Sequence, residues 1–419
     1  MSQKAEILRP MSRTVSDGPG KPLAGPLSGV RVVELGMMIA GPFAGRILAD
    51  LGAEVIKVEA PGNGDPLRDW KHLHDGTSLW WRVQSRNKRV VTADLRRPEG
   101  QALVRALVDK SDVLLENFRP GTLERWGLDP AALRAERPEL VIVRVSGFGQ
   151  TGPYRSRTGL GAVAEAMGGI RYTTGQPEAA PSRTGVSLAD EVAALFAVIG
   201  ALAGLVRRGT SGRGDVVDVA LYEAVFALME GAITEYSYSG EVRERSGGAY
   251  PGVAPSNTYP TADGKFVVIG GNSDELFVRL MSVIGRPDLA AVPRYRTNPG
   301  RAADAALLDA AIGAWSGGLD LDECLRALEA GGVPGGPIYS MAEIAVDPQY
   351  AARDMLLERT LDDGTRVVIP GIVPKLSEAP GWVRHLGPVP LGSDNDAVYG
   401  ELLGIDERER ARLRANGII

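Results

Sequence analysis

The chain has 419 residues, enough for two or three folding units, and a formal net charge of -5. Because a net negative charge gives no general attraction to nucleic acid or to an anionic membrane surface, neither is expected as a partner. The single cysteine, Cys324, excludes an intrachain disulfide framework, is expected to be a small core residue, and favours a cytoplasmic location. Three histidines are too few for a histidine-rich metal site, so no metal ligands are predicted.

The N-terminal segment 1–24 combines prolines and glycines with mostly polar residues and lacks the apolar core of a signal peptide. We therefore expect a disordered leader there. No stretch of about 18 apolar residues is evident, so no transmembrane helix is expected.

Short apolar strands and amphipathic helices alternate along the first part of the chain. Because connections this short join neighbouring parallel strands, the pattern predicts one doubly wound, Rossmann-like sheet. The predicted strands are 30–35, 54–59, 89–94, 112–116, 140–146 and 216–220, and the predicted helices are 43–51, 100–110, 162–169, 189–207 and 221–230.

The second part of the chain predicts a smaller α+β unit. Residues 237–255 are rich in glycine and proline and predict a linker and a mobile loop, and Asp263-Gly264 predicts the turn of a hairpin over 257–271. We expect a large domain at 25–225, a linker at 226–244, a small domain at 245–335 and a C-terminal segment at 336–419. The further predicted elements are helices at 275–284, 302–315, 321–330 and 344–355, a turn at 333–338, and strands at 357–361 and 366–369.

Two groups of residues suggest ligand binding without requiring it. The loop Gly147–Pro153 matches neither the dinucleotide-binding nor the P-loop pattern, and is compatible with a plain strand exit or with backbone N–H groups that meet a carbonyl or phosphate. A basic run is more often a solvated face, although it is also compatible with a site for an anionic head group. It comprises Arg82, Arg86, Lys88, Arg89, Arg96 and Arg97, with Arg119 and Arg125 further along.

Carboxylates are plentiful, but no spacing among them demands catalysis. Glu165 falls on a predicted helix, and Glu178 falls in a loop just after Gly175. Asp190 lies near a helix start, where a negative charge favours the helix in any case. From the residues alone, surface and helix-terminal roles remain open for all of them.

Several blocks in a fixed order carry a family likeness. Together they resemble class III CoA-transferases of the formyl-CoA and carnitine CoA-transferase type, with the α-methylacyl-CoA racemases as relatives. The likeness covers about residues 27–375. The blocks are Leu27–Leu35, Ala40–Pro42, Asp50–Glu59, Gly64–Pro66, Asn87–Arg89, Asp112–Gly121, Ser146–Pro153, Gly212–Gly214, Val217–Val219, 257–263 and Val333–Pro337.

The resemblance implies an α/β fold in which each subunit is a ring, with a Rossmann-like large domain and a small α+β domain. It also implies that the C-terminal segment returns to the large domain and that two subunits interlock as a homodimer. Coenzyme A or acyl-CoA is then the substrate, together with a small carboxylic acid, and no cofactor is tightly bound. The implied CoA contacts are Ile39, Ala40, Ala93, Arg96, Asn117, Phe118, Arg119, Arg125, Ser146, Gly147, Phe148 and Gly149.

The resemblance also implies the catalytic group. The transferases use an aspartate three residues after a glycine, and here Thr174–Glu178 places Glu178 at that position, where its carboxylate can do the same chemistry. The racemases use a histidine in a Gly-His-Asp triplet, and here Leu160 stands at the histidine position while Asp190 matches the second acid-base group.

The leading hypothesis is therefore transfer of coenzyme A from an acyl-CoA to a carboxylic acid through an anhydride and a glutamyl-CoA thioester on Glu178. Backbone N–H groups of Gly247-Gly248 or near Gly147 are the expected oxyanion donors. The alternatives are an acyl-CoA isomerase, racemase or lyase on the same scaffold, or a non-catalytic CoA-binding homologue. The loops around 155–160, 176–183 and 237–256 are expected to select the substrate, but nothing in them names an acid.

Overall fold

The computed structural model describes residues 25–419, so the predicted leader lies outside the described residues. The described chain forms two compact units. The larger one holds residues 25–170, Thr184–Glu230 and Asp354–Ile419, and the smaller one holds Arg171–Arg183 and Gly231–Arg353. The short segment Arg171–Arg183, which carries Glu178, thus groups with the smaller unit, and the domain boundaries expected from the sequence stay a prediction.

The secondary structure agrees closely with the predicted order of elements. The strands are β1 (Arg31–Glu34), β2 (Glu54–Glu59), β3 (Leu73–His74), β4 (Thr77–Ser78), β5 (Lys88–Thr92), β6 (Val113–Glu116), β7 (Val141–Ser146), β8 (Val216–Ala220), β9 (Ser256–Pro260), β10 (Phe266–Gly270), β11 (Gly335–Pro337), β12 (Leu356–Thr360) and β13 (Arg366–Pro370). The helices of the larger unit and its borders are α1 (Ala40–Asp50), α2 (Leu79–Gln84), α3 (Pro98–Asp109), α4 (Thr122–Arg125), α5 (Pro130–Glu136), α6 (Gly161–Met167), α7 (Ile170–Thr173), α8 (Leu188–Ser211) and α9 (Leu221–Phe226). The later helices are α10 (Ala232–Ser239), α11 (Asp274–Val283), α12 (Pro287–Ala290), α13 (Asn298–Ala303), α14 (Ala305–Ser316), α15 (Leu321–Ala330), α16 (Met341–Ile344), α17 (Pro348–Ala352) and α18 (Glu407–Ala415), with 3-10 turns at Pro66–Asp69 and Pro293–Arg296 and a π-helix at Asp396–Leu402.

A six-stranded parallel sheet forms the centre of the larger unit, in the order β5-β2-β1-β6-β7-β8. Its inner strands are short, rich in valine, isoleucine and leucine, and mostly buried on both faces, as parallel strands usually are, whereas the edge strand β8 is partly exposed. Val33, for example, is fully buried and lies level with Ile56 on one side and Leu114 on the other. This is the predicted α/β sheet.

Helices cover both faces of that sheet. On one face α1, α8 and α9 pack into one hydrophobic core. On the other face α3 packs into a second core together with the C-terminal π-helix and α18. Neither C-terminal helix was predicted, and the π-helix ties this part of the chain to the sheet, because its Tyr399 is fully buried and donates to the Thr92 carbonyl at 2.8 Å.

The long helix α8 contradicts the expectation that no segment is apolar enough to span a membrane. This helix of 24 residues meets that criterion by length and composition, because an 18-residue window within it has a mean hydropathy of 1.9. One such helix is weak evidence, since core helices meet the same criterion. Ala193, Ala194 and Ala197 are buried in the core of the larger unit, whereas Ile199 is 59% exposed. The predicted helix over 189–207 is thus buried along one face.

The smaller unit contains the predicted β9–β10 hairpin, closed by a turn in which Gly264 has a φ of 75°. The turn predicted at 333–338 is wrong, because Gly335–Pro337 forms β11 and pairs with β10. The helix predicted over 302–315 is broken at Asp304. Cys324 is fully buried, as predicted, and burial raises the pKa of its thiol.

The segment 344–355 does not form the single helix that was predicted there. Two short helices, α16 and α17, replace it, because Asp347 accepts hydrogen bonds from Gln349 and Tyr350 and starts a new helix before Pro348. The two predicted strands that follow are confirmed as the antiparallel pair β12 and β13.

Candidate functional site

A cavity of about 220 Å³ opens where β1, β2, β5 and β6 end in the larger unit. The carboxyl ends of parallel strands share one edge of a sheet, and this edge is where open α/β sheets bind ligands. Ala93, Arg96 and Phe118, three of the predicted CoA contacts, lie in its wall. The other lining residues are Leu35, Met37, Lys57, Val58, Glu59, Ala60, Gly64, Asp65, Asp94, Leu95 and Trp126.

An aromatic pair closes one side of this cavity. Phe118 and Trp126 meet edge to face, with ring centroids 5.0 Å apart and planes at 82°. Such a wall suits a flat heteroaromatic ring. Trp126 was not singled out in the sequence, although its place directly after Arg125, at the end of the helix that follows Phe118, was a usable signal.

Only part of the basic run is available to an anion. Arg86 is fully buried and paired with Asp50 at 2.7 Å, and Lys88 is fully buried and paired with Glu34 at 2.7 Å. The hypothesis that the whole run meets an anionic head group is wrong for these two. Arg96 remains 82% exposed in its side chain at the cavity, although it pairs with Asp94 at 2.8 Å. Arg119 and Arg125 are also exposed.

Asn117 uses its side chain to hold the loop between β1 and α1. Its Oδ1 accepts from the Met37 N–H at 2.8 Å, and its Nδ2 donates to the Met37 carbonyl at 2.9 Å. A Cβ on Gly36 or Gly41 would approach the Asn117 side chain within 3.3 Å. Asn117 therefore acts here as a positioning residue, and Met37 in turn lines the cavity.

Buried charged side chains also hold the loop between β1 and α1. The Lys57 ammonium donates to the Gly36 carbonyl at 2.6 Å and lies 2.9 Å from Asp65 and 3.1 Å from Glu34. Burial alone lowers the pKa of Lys57, but the two carboxylates outweigh it and raise that pKa above its usual value. Asp65 also accepts from the N–H of Met38 at 3.1 Å, which stabilises Met38 at a left-handed φ of 64°. Asp65 was quoted only as part of a motif, and its place before Pro66, typical of a helix cap, was the signal for its role.

Ile39 and Ala40, two further predicted contacts, are buried where α1 begins. The Ile39 carbonyl accepts from Gln84 at 3.2 Å, and the Pro42 carbonyl accepts from Lys88 at 2.8 Å. Side chains from distant parts of the chain, Asn117, Lys57, Gln84 and Lys88, thus hydrogen-bond to the backbone of the loop between β1 and α1 and of the first turn of α1.

The loop Ser146–Gly149 lies at the end of β7, on the same edge of the sheet, but does not line the cavity. Ser146 Oγ accepts from the Gly149 N–H at 3.0 Å, and Asp218 accepts from the Gln150 N–H at 2.9 Å. A Cβ on Gly147 would come within 2.7 Å of the Gly159 backbone, so this close approach requires glycine. Phe148 is buried, which leaves the backbone as the part of the loop that can meet a ligand.

Glu178 lies exposed in a closed loop of the smaller unit. The loop is closed by the Ser182 N–H, which donates to the Thr174 carbonyl at 2.9 Å, and it contains a turn in which Ala179 donates to Gln176 at 3.1 Å. Gly175 has a φ of 120°, a conformation open mainly to glycine. Glu178 is thus exposed on a loop whose backbone is held by its own hydrogen bonds.

A second loop of the smaller unit, 244–248, is bound to the Glu178 loop. The Gly247 N–H donates to the Gly175 carbonyl at 3.0 Å, and Arg245 donates to the Tyr172 carbonyl at 2.9 Å. The hydroxyl of Tyr172 donates to Glu244 at 2.7 Å. The structure thus joins the predicted Gly247-Gly248 loop to Gly175, in the loop that carries Glu178.

This arrangement changes the prediction for the oxyanion donors. The Gly247 N–H is already donated within the protein, and so is that of Gly149 near Gly147. Between residues 25 and 419 no acceptor is found for the Gly248 N–H. Within the Gly247-Gly248 pair, Gly248 is therefore the better candidate donor.

The positions that correspond to the racemase pair also lie together. The Asp190 carboxylate packs directly against Gly161, where a Cβ would overlap with it. Leu160, which stands in place of the histidine, is 57% exposed, and Glu165 is buried nearby on α6. One acid-base group of that pair is in place, and the other position carries an inert side chain.

Solved structures match this architecture. A CAIB/BAIF family protein from Brucella suis is 36% identical, with a TM-score of 0.80 over 90% of this chain and 100% of that one. Protein Rv3272 from Mycobacterium tuberculosis is 30% identical, with a TM-score of 0.78 over 90% of this chain and 99% of that one. The fold is thus the mixed α/β fold of these proteins, built on a parallel six-stranded sheet.

The family follows from the sequence matches. The model described as CoA-transferase family III matches residues 27–395. The succinyl-CoA–D-citramalate CoA-transferase of Chloroflexus aurantiacus is 50% identical over 94% of this chain and 98% of its own length. The succinate–glutarate CoA-transferase of Agrobacterium fabrum is 38% identical over 91% of this chain and 96% of its own length. The chain belongs to CoA-transferase family III, and it is an enzyme that transfers coenzyme A between acyl-CoA thioesters and carboxylic acids.

Proposed function

We propose that this enzyme transfers coenzyme A from a dicarboxylic acyl-CoA of the succinyl-CoA type to a second dicarboxylic acid, with Glu178 as the nucleophile. The single observation that carries the choice of nucleophile is the exposed Glu178 carboxylate in its closed loop, at the position of the family's aspartate. The choice of substrate class rests on relatives named for succinyl-CoA with D-citramalate, for succinyl-CoA with L-malate, and for succinate with glutarate.

The chemistry proceeds in two symmetric halves. The Glu178 carboxylate attacks the thioester carbonyl, and the carbon–sulfur bond breaks to give a mixed anhydride and CoA thiolate. The thiolate attacks the Glu178 carbonyl of that anhydride, which forms a glutamyl-CoA thioester and releases the donor acid as its carboxylate. The acceptor carboxylate then attacks the glutamyl-CoA, and the released thiolate takes the acceptor acyl group and frees Glu178.

The protein stabilises these steps through its backbone and its substrate pocket. The Gly248 N–H is proposed to donate to the oxyanion of each tetrahedral intermediate, where a fixed donor acts most strongly. The nucleotide end of coenzyme A is proposed to occupy the cavity at Ala93, Arg96 and Phe118, with its aromatic ring against the Phe118–Trp126 wall. Glycines with positive φ on both sides of the Gly248 loop, at 240 and 252, permit it to move between steps.

We also propose that two chains form the interlocked, ring-shaped homodimer that the family resemblance implies, with coenzyme A and no tightly bound cofactor. An apolar groove on the larger unit supports a protein partner: it includes Phe196, Ile199 and Val217, and Ile199 is 59% exposed. Sedimentation at micromolar concentration tests the assembly, and a monomer would overturn it. The cytoplasmic location stays a prediction.

Trapping the intermediate tests the assignment. The enzyme is incubated with succinyl-CoA and then with hydroxylamine or borohydride, and the peptide that contains Glu178 is examined by mass spectrometry. We expect a hydroxamate or a reduced side chain at Glu178. An unmodified Glu178 beside active exchange of labelled acid would overturn the role of this residue, and an absence of exchange for every acid would favour a non-catalytic CoA-binding protein.

The isomerase, racemase or lyase alternative has one observation in its favour, the Asp190 carboxylate held against Gly161. It predicts incorporation of solvent deuterium at the α-carbon of an acyl-CoA without an acceptor acid. We expect none, because Leu160 supplies no proton to the opposite face.

A further inference from the structure

Arg245 is the charged residue that lies closest along the chain to the contact between the two loops of the smaller unit. It precedes Gly247 by two residues, and Gly247 bonds to Gly175, three residues before Glu178. Its guanidinium lies 5.4 Å from the centre of the Tyr172 ring and donates from Nη1 to the Tyr172 carbonyl at 2.9 Å. Arg245 is therefore fixed on the segment that leads into the Glu178 loop.

Most of the hydrogen-bonding capacity of Arg245 is unused. A guanidinium carries five N–H donors, and the bond to Tyr172 is the one that Arg245 makes within residues 25–419. Its Nε is buried without a partner. A buried donor that lacks an acceptor destabilises the folded protein, so an acceptor supplied by a ligand is favoured at this point.

Arg245 also has no carboxylate partner across the described part of the chain. The neighbouring Arg243 differs, because it pairs with Glu235 at 2.8 Å. The adjacent Glu244 is engaged by the Tyr172 hydroxyl at 2.7 Å. The structure thus leaves one half-buried guanidinium with its charge uncompensated beside the nucleophile loop.

We propose that Arg245 binds the distal carboxylate of the substrate, the one that does not react, and so selects dicarboxylic over monocarboxylic acyl groups. This inference rests on the proposed function. The planar fork of a guanidinium matches a carboxylate with two parallel hydrogen bonds, and a half-buried site makes such a pair strong. A substrate without the second carboxylate leaves the guanidinium unpaired and gains nothing from it.

Self-exchange of label tests the proposal, because succinate and butyrate have the same carbon chain and differ in the second carboxylate. One assay follows labelled succinate into succinyl-CoA, and the other follows labelled butyrate into butyryl-CoA. In the wild type we expect the higher kcat/KM for succinate. In Arg245→Gln we expect succinate exchange to fall about 100-fold, mainly through KM, and butyrate exchange to stay within about two-fold, in line with the loss of a charged pair.

Two further variants keep the test decisive. Arg245→Lys retains a donor for the Tyr172 carbonyl but lacks the fork, and we expect a selective loss of about ten-fold for succinate. Arg243→Gln is the matched control and should leave the ratio of the two exchange rates unchanged. An equal loss for both acids in the Arg245 variants would show a structural role and overturn the inference.

Exchange rates of the wild-type enzyme distinguish a failure of the Arg245 proposal from a failure of the proposed function. Exchange of butyrate as fast as succinate would overturn the role of Arg245 and leave coenzyme A transfer through Glu178 standing. Exchange of neither acid would overturn the proposed function itself.

Discussion

The backbone N–H of Gly247 donates to the carbonyl of Gly175 at 3.0 Å, and this bond joins the glycine-rich loop to the loop that presents Glu178. The Gln176 side chain packs against the same glycine, so that a Cβ on Gly247 would lie 2.7 Å from its Oε1. Changes at Gly247 are therefore transmitted to the residues next to the nucleophile.

Gly247→Ala is expected to lower the kcat of acid exchange by about ten-fold or more. Alanine at the φ of 65° costs about 1–2 kcal/mol, and its Cβ displaces Gln176 from the Glu178 loop. Gly252→Ala is the matched control, because Gly252 has a φ of 72° and no atom near the added Cβ. Steady-state exchange rates for both variants check the prediction.

Truncating the Gln176 side chain in the Gly247→Ala background should restore part of the exchange rate. The double variant keeps the strained φ at residue 247 but loses the clash between the added Cβ and Gln176. Equal rates for Gly247→Ala and Gly252→Ala would show that backbone strain alone explains the loss.

Glu178→Gln is expected to abolish exchange, because an amide cannot form the anhydride or release a carboxylate. Glu178→Asp restores the residue that the family motif carries, one methylene shorter, and we expect it to retain a measurable fraction of activity. Rates of label exchange and the mass of the trapped intermediate check both variants. Full activity of Glu178→Gln would assign the nucleophile to another residue.

Asn117→Ala is expected to raise the KM for acyl-CoA by about ten-fold, with a smaller change in kcat. The variant leaves the N–H and carbonyl of Met37 without partners, and each loss costs about 1–3 kcal/mol in a half-buried site. Asn117→Asp keeps the acceptor for the Met37 N–H and loses the donor, so its KM for acyl-CoA should lie between those of the wild type and Asn117→Ala. Kinetics and urea unfolding separate the effects: a loss of stability with an unchanged KM would deny Asn117 a role in coenzyme A binding.

The strands were predictable because their signals are local. Glu54–Glu59 and Val216–Ala220 have the predicted bounds, since each is a short β-rich run bounded by turn residues. Gly335–Pro337 carries no such signal and becomes a strand through its pairing with β10. The helix Glu407–Ala415 buries Leu413 alone among its nine residues, so apolar periodicity could not indicate it.

The site was predictable where it follows the family order and hidden where it depends on distant partners. Glu178 and Phe118 came from ordered motifs, and Phe118 lines the cavity, while the roles of both residues stay predictions. The burial of Arg86 and Lys88 depends on Asp50 and Glu34, which lie 36 and 54 residues away along the chain. A run of basic residues looks solvated in sequence until the carboxylates that face it are known.

The pH dependence of stability provides a last prediction, at Glu116, next to Asn117. Burial raises the pKa of its carboxyl group to about 7, although Arg144 at 2.8 Å and the Phe118 N–H at 2.7 Å oppose the shift. The folded protein therefore binds this proton more tightly than the unfolded chain, whose carboxyl has an ordinary pKa near 4.5. The contribution of Glu116 to the free energy of unfolding then falls as the pH rises from 4.5 to 7, by about 3 kcal/mol at most.

Glu116→Gln removes the titrating group and should flatten the curve over this range. Urea unfolding at half-unit steps of pH, followed by circular dichroism, measures the free energy of unfolding for both proteins. The difference between wild type and variant isolates Glu116 from the histidines and the other carboxylates, which titrate alike in both. A difference that does not change between pH 4.5 and 7 would show that the Arg144 pair keeps Glu116 ionised throughout, which would contradict the raised pKa.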